Sequence, residues 1–136
     1  MAKQIFVNLP VKDLKKTVEF FTKLGFTFNP QFTDDNATCM IVSDNIFVML
    51  LVEPFFKSFT KMEVADTSKC NEAIICLSAD SKEEIDDYVK KATEAGGIEN
   101  PKQDYGWMYN WGFKDLDGHN WEFAYMDMSQ MPQSNQ

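Results

Sequence analysis

Histidine occurs once in the 136 residues, at position 119. That scarcity excludes metal centres built from several imidazoles. Cysteine is also sparse: Cys39, Cys70 and Cys76 are an odd number with no C-x-x-C spacing. Neither a disulfide framework nor a zinc ribbon follows from them. Positive charge is in deficit, with 13 Lys and Arg against 21 Asp and Glu, a net charge of −8. An acidic surface repels phosphate backbones, so no nucleic acid partner is expected. Lys12, Lys15 and Lys16 are the densest basic group, and they read as a solvated helix face. Long apolar runs are missing. The longest, such as Ile46 to Val52, fall far short of the roughly 20 residues that a spanning helix needs. No membrane partner is expected. The opening MAKQIFVNLP has no charged leader followed by an apolar stretch. With unpaired thiols, the expected compartment is the cytoplasm.

What is present is enough for a core: 44% hydrophobic residues and 14% aromatic ones. A disordered chain lacks that apolar area. Residues 4–11 (QIFVNLPV) are β-prone. Asp13 then precedes Leu14, Val18, Phe21 and Leu24, one face of a helix that Asp13 caps and Gly25 ends. Strands follow at Phe26 to Phe32, Ala37 to Val42 and Ile46 to Val52, separated by Asp34-Asp35-Asn36 and Asp44-Asn45. Glu53 to Lys69 mixes aromatics with charges and has no clean period. It reads as a connecting arm whose Phe55, Phe56, Phe59 and Met62 must pack onto something.

The pattern then returns. Glu72 to Ala79 reads as a strand. Ser81 followed by Glu84 has capping-box spacing, Ile85, Val89 and Ala92 form the helix face, and Gly96-Gly97 ends it. Ile98 to Gln103 is a strand weakened by Pro101. Trp107 to Lys114 and Asn120 to Met126 are strands joined by Asp115-Leu116-Asp117-Gly118. Gly25 and Gly96 stand 71 residues apart, and at that offset Leu14 matches Ile85 and Val18 matches Val89. A repeat of this length marks two copies of one unit. The expected fold is α+β: two β-α-β-β-β modules, at 1–53 and 71–127, with an arm at 54–70 and a polar, frayed tail at 128–136. Together they are expected to form one curved mixed sheet with a concave pocket and outer helices.

Three stretches carry a resemblance: VNLPVKDLKKTVEFFTKLGF (7–26), ICLSADSKEEIDDYVKKATEAGG (75–97) and FKDLDGHNWEF (113–123). The last is the most specific. Together the chain resembles the vicinal oxygen chelate superfamily of glyoxalases, bleomycin- and fosfomycin-resistance proteins and extradiol dioxygenases. The resemblance implies a divalent ion on the concave face, held by residues at Phe6, Met49, Ile74 and Glu122. Phenyl and alkyl groups offer no lone pair, and a thioether suits soft Cu(I). One carboxylate does not hold a catalytic ion that takes about three protein ligands. The expectation is therefore a pocket without a metal cofactor. The alternative site, reached by shifting two strands by two residues each, is Asn8, Glu72 and Glu122.

Glu122 is the candidate general acid/base, because apolar neighbours would desolvate it. The plainer reading makes it a polar anchor. His119 reads as an exposed turn residue rather than a base. Cys39 and Cys76 read as small hydrophobes within strands. Alternation puts Trp107, Tyr109, Trp111 and Phe113 on one strand face, where rings with polar tips could cup a flat or cationic compound. The expected binding residues are thus Phe6, Met49, Ile74, Trp107, Tyr109, Trp111 and Glu122. Three functions follow: a binding protein for a small aromatic or cationic molecule, a metal-dependent lyase, isomerase or dioxygenase, or a structural dimer with a filled cavity. The resemblance implies a homodimer.

Overall fold

Asp13 does at the first helix what its spacing predicts. Its carboxylate accepts the Lys16 N–H at 3.0 Å, and Gly25 follows the last turn at φ +101°. Only a residue without Cβ adopts that backbone freely. Between these signals runs α1, Leu14–Lys23, after strand β1, Ile5–Val11. The structure is a computed structural model, described for residues 1–131. The chain divides between Asp66 and Thr67 into two compact units.

In the first unit, β1 pairs in parallel with β4 (Ile46–Val52). β4 pairs antiparallel with β3 (Ala37–Ser43), and β3 with β2 (Thr27–Asn29). The sheet order is β1-β4-β3-β2. Alternation gives the sheet two faces. One carries Val11, Met40, Val48 and Leu50, which are fully buried, and α1 packs along β4 with Phe20 and Phe21 buried. The other carries Phe6, Asn8, Cys39 and Met49. The expected strand 26–32 is shorter, because Asn29 caps a 3-10 turn at Pro30–Phe32 and the chain leaves the sheet there.

The arm is not featureless. Glu53–Thr60 forms α2, with Pro54 in its first turn, where a missing N–H costs nothing. Phe55 and Phe59, one turn apart, meet edge to face at 5.0 Å between centroids. Phe55 and Phe56 are half-buried and Phe59 is exposed.

The second unit repeats the logic. β5 (Ile74–Ser78) pairs in parallel with β9 (Asn120–Met126), and β9 antiparallel with β8 (Met108–Lys114). Pro101 splits the next strand into β6 (Ile98–Glu99) and β7 (Gln103–Asp104), both on β8. Helix α3, Lys82–Glu94, starts on Ser81, whose Oγ accepts the Glu84 N–H at 3.1 Å. Glu84 reaches back to the Asp80 N–H at 3.3 Å. α3 buries Ile85, Val89 and Ala92. Tyr88 stacks on Phe123 at 4.5 Å, and Tyr109 donates to Asp86. α3 therefore covers the face that holds Tyr109, Phe113, Trp121 and Phe123.

The fold is α+β, with two β-α-β-β-β modules whose strands are bonded as two mixed sheets, one in each unit. Of the expected tail, Met128–Gln130 forms a 3-10 turn capped by Asp127. The remainder, 132–136, lies outside the described residues.

Candidate functional site

The Asp115–Gly118 turn sets the register of the last two strands. It places Lys114 opposite Asn120, Gly112 opposite Glu122 and Asn110 opposite Ala124. Residues opposite each other share a face. Asn110, Lys114, Asn120 and Glu122 thus stand together on the face of the second sheet that α3 leaves open. There they line a basin of about 240 Å³, with Asn100, Pro101, Gln103, Trp111 and Gly112.

The basin is polar and internally wired. Asn110 Nδ2 donates to Glu122 Oε1 at 2.9 Å. Asn100 Nδ2 donates to Asn120 Oδ1 at 2.6 Å, and Lys114 Nζ to Asn100 Oδ1 at 3.1 Å. Trp111 Nε1 donates to the Asn100 carbonyl at 2.6 Å. Asn110 Oδ1 is buried with no hydrogen-bond partner among the described residues. Such an orphan costs about 1–3 kcal/mol. Gly112 is required by close approach: a Cβ there would lie 1.9 Å from the Trp121 carbonyl oxygen. Cys76 stands beside Glu122 on β5. Although the residue is exposed, its thiol is pushed up, by partial desolvation against the sheet first and by the Glu122 carboxylate second.

Several expectations need correction. The aromatic row does not face Glu122. Tyr109 is buried on the α3 side, and Lys102 lies 5.5 Å from its ring and 4.2 Å from that of Trp111. Trp107 lies just before β8, which begins at Met108, and of the row only Trp111 reaches the basin, at its border. Hairpin register decides this, since Glu122 and the aromatics differ by one residue in parity. Phe6 and Met49 share the open face of the first sheet, and Ile74 that of the second. Phe6 and Ile74 are 52% and 57% exposed, and Phe6 stacks on Phe47 at 5.0 Å. Cys39 is buried as expected, whereas Cys76 is exposed.

His119 is not an exposed turn residue. It is 2% exposed, and its Nδ1 lies 2.7 Å from Glu72 Oε1. The Asp115 carboxylate accepts the N–H groups of Asp117 and His119 at 2.9 and 3.0 Å and the Trp121 indole at 2.9 Å. This buried cluster ties down the turn that sets the register. It also engages Glu72, which the alternative metal site required.

A divalent ion does not fit the residues present. Phe6, Met49 and Ile74 carry no hard donor, Glu122 Oε1 is held by Asn110, and Glu72 is held by His119. Among the described residues, no three His, Cys, Asp or Glu side chains gather in a way that could hold a metal ion.

A twice-used β-α-β-β-β unit with a polar basin beside its last hairpin defines the α+β class of this chain. The chain belongs to the Glyoxalase/Bleomycin resistance protein/Dioxygenase superfamily, whose family model matches residues 3–123. It is similar to a hypothetical protein from S. aureus at 31% identity, covering 91% of this chain and 94% of that one, with a TM-score of 0.76. A glyoxalase/bleomycin resistance protein/dioxygenase family enzyme from Burkholderia phytofirmans shares the fold at 14% identity, with 88% and 94% covered and a TM-score of 0.73. So does the fosfomycin resistance protein FosX from Mesorhizobium loti, at 13% identity, 96% and 97% covered and a TM-score of 0.68. No curated protein matches the chain. Among the described residues, no helix is long and apolar enough to cross a membrane.

Proposed function

We infer that the protein binds a small organic molecule in the basin around Glu122, without a metal cofactor. The observation that carries this reading is the Asn110–Glu122 pair on an open sheet face, where relatives are expected to place a chelating acid. The amide fixes the carboxylate through Oε1. A held carboxylate beside a hollow is an anchor for a cationic or donor-bearing group. The geometry supports the cationic branch of the original expectation over the aromatic one, since the ring row lies on the α3 side. The chain acts as a cytoplasmic homodimer in this reading. Supporting the dimer, edge strands β1 and β5 carry Ile5, Phe6 and Ile74, all more than half exposed. Light scattering then gives about 31 kDa, twice the 15.7 kDa chain.

The test is a thermal-shift and amide-NMR screen with small cations, acids, neutral polar compounds and aromatics. The expected hits are cationic compounds that shift the amide signals of Asn110 and Glu122 and lose that effect in Glu122→Gln. A screen with no hit in any class overturns binding in favour of a filled interaction module. A stoichiometric divalent ion lost on Glu122→Ala reinstates the metal-dependent enzyme.

A further inference from the structure

The basin is divided by charge along its strands. Resting on the binding reading above, we propose that its occupant is a small zwitterion, with an ammonium at Glu122 and an anionic group at Lys114 and Asn120.

The division follows from register. Lys114 and Asn120 form one cross-strand row, and Gly112 and Glu122 form the next. Diagonal neighbours of this kind stand about 7–8 Å apart. Gly112 brings no side chain into the space between them.

The hydrogen-bond inventory differs between the rows. Glu122 spends Oε1 on Asn110, while Oε2 has no protein partner among the described residues. A carboxylate oxygen only accepts, so it calls for a donor. In the other row, Lys114 spends one N–H on Asn100 Oδ1. An ammonium has three donors, so two remain. Asn120 uses its oxygen to accept from Asn100, which leaves its Nδ2 group to donate. These donors call for an acceptor, and beside a lysine the favoured acceptor is an anion.

The two charges do not satisfy each other. Among the described residues, no ion pair joins Lys114 to Glu122, unlike Lys91 and Asp87, which meet at 2.8 Å. Asn100 and Asn110 hold the opposed groups apart. At about 240 Å³ the basin suits a compact molecule, below the usual range for drug-sized ligands. An amine alone would leave the donors of Lys114 without an anion. A carboxylate alone would meet Glu122.

The experiment uses α,ω-amino acids from glycine to 6-aminohexanoate, with the matching alkylamines and alkylcarboxylates, in NMR titrations of the full chain. The expected result is an affinity maximum at one amino acid of the ladder, at least about tenfold tighter than its amine or acid analogue. Glu122→Gln should weaken amino acid and amine by about tenfold and spare the carboxylate. Lys114→Met should weaken amino acid and carboxylate and spare the amine. Lys114→Arg should recover most of the loss, and unchanged amide spectra away from the basin establish folding. Amines binding as tightly as amino acids, with Lys114→Met silent, would overturn the zwitterion and leave small-molecule binding standing. If no compound in the ladder or in the wider screen shifts any basin resonance, both readings fall.

Discussion

Asp115 is the residue on which the basin's geometry turns, although it lies outside the basin. It is buried and holds two backbone N–H groups and the Trp121 indole. Removing the indole donor by Trp121→Phe leaves Oδ2 short of a partner. The expected loss is about 1–3 kcal/mol in denaturant unfolding, with the midpoint falling and the slope unchanged. Burial raises the Asp115 carboxyl above its ordinary value, against the lowering influence of His119 and the Trp121 hydrogen bond. For an acid raised in the native state, the native chain binds more protons than the unfolded one. Its contribution to stability is full below the unfolded value of about 3.9 and declines as pH rises through the native one. The stability of wild type relative to Asp115→Asn should therefore be greater at about pH 4, near the unfolded value, than at about pH 7.5. Urea unfolding at the two values checks the sign. The FKDLDGHNWEF motif was legible in the sequence, but the burial of His119 was not. Its partner Glu72 is 47 positions away, and no local pattern announces such a pairing. The polar basin could have been found. Counting outward from the Asp-Gly turn pairs Glu122 with Gly112 and puts Asn110 and Lys114 beside it, whereas the eye is drawn to the alternate aromatic positions.

Elements with strong punctuation were read correctly. α1 and α3 begin on Asp13 and Ser81 and are followed by Gly25 and Gly96, both at positive φ. Ser81→Ala should cost about 1 kcal/mol by loss of the Glu84 N–H partner, measured by thermal or denaturant unfolding. α2 escaped notice because it spans only eight residues, starts without a side-chain cap and ends without glycine. Its last turn closes at Lys61, at φ 60°, whose N–H donates to the Lys57 carbonyl at 2.9 Å. A left-handed conformation strains any residue with a Cβ. Lys61→Gly should raise stability by about 0.5 kcal/mol after the greater freedom of the unfolded chain is counted. A fall in melting temperature would refute that local strain. Pro101 was read as weakening a strand. It separates β6 from β7 and lets Asn100 and Gln103 border the basin.

At the scale of the whole chain, the repeat is what the sequence displayed most openly, since two copies of one unit need the same caps, glycines and apolar faces. Of the four positions that the resemblance implied as metal ligands, only Glu122 carries a hard donor, and Asn110 holds one of its oxygens. Mass action turns that shortage of donors into a measurement. A resident divalent ion with micromolar affinity, offered at about 1 mM, would stabilise the native state by about 4 kcal/mol. For a domain of this size that is a rise in melting temperature of more than about 10 °C. With phenyl, thioether and alkyl groups at three positions and the fourth held by an amide, the expected shift with Mn2+, Zn2+, Ni2+ or Mg2+ is under about 1 °C. The same small shift is expected in Glu122→Gln, because a lone carboxylate binds such ions only weakly and without specificity. A rise of several degrees with one ion, abolished in Glu122→Gln, would mean that side chains outside the expected set converge on the metal, and the anchor role of Glu122 would give way to that of a ligand.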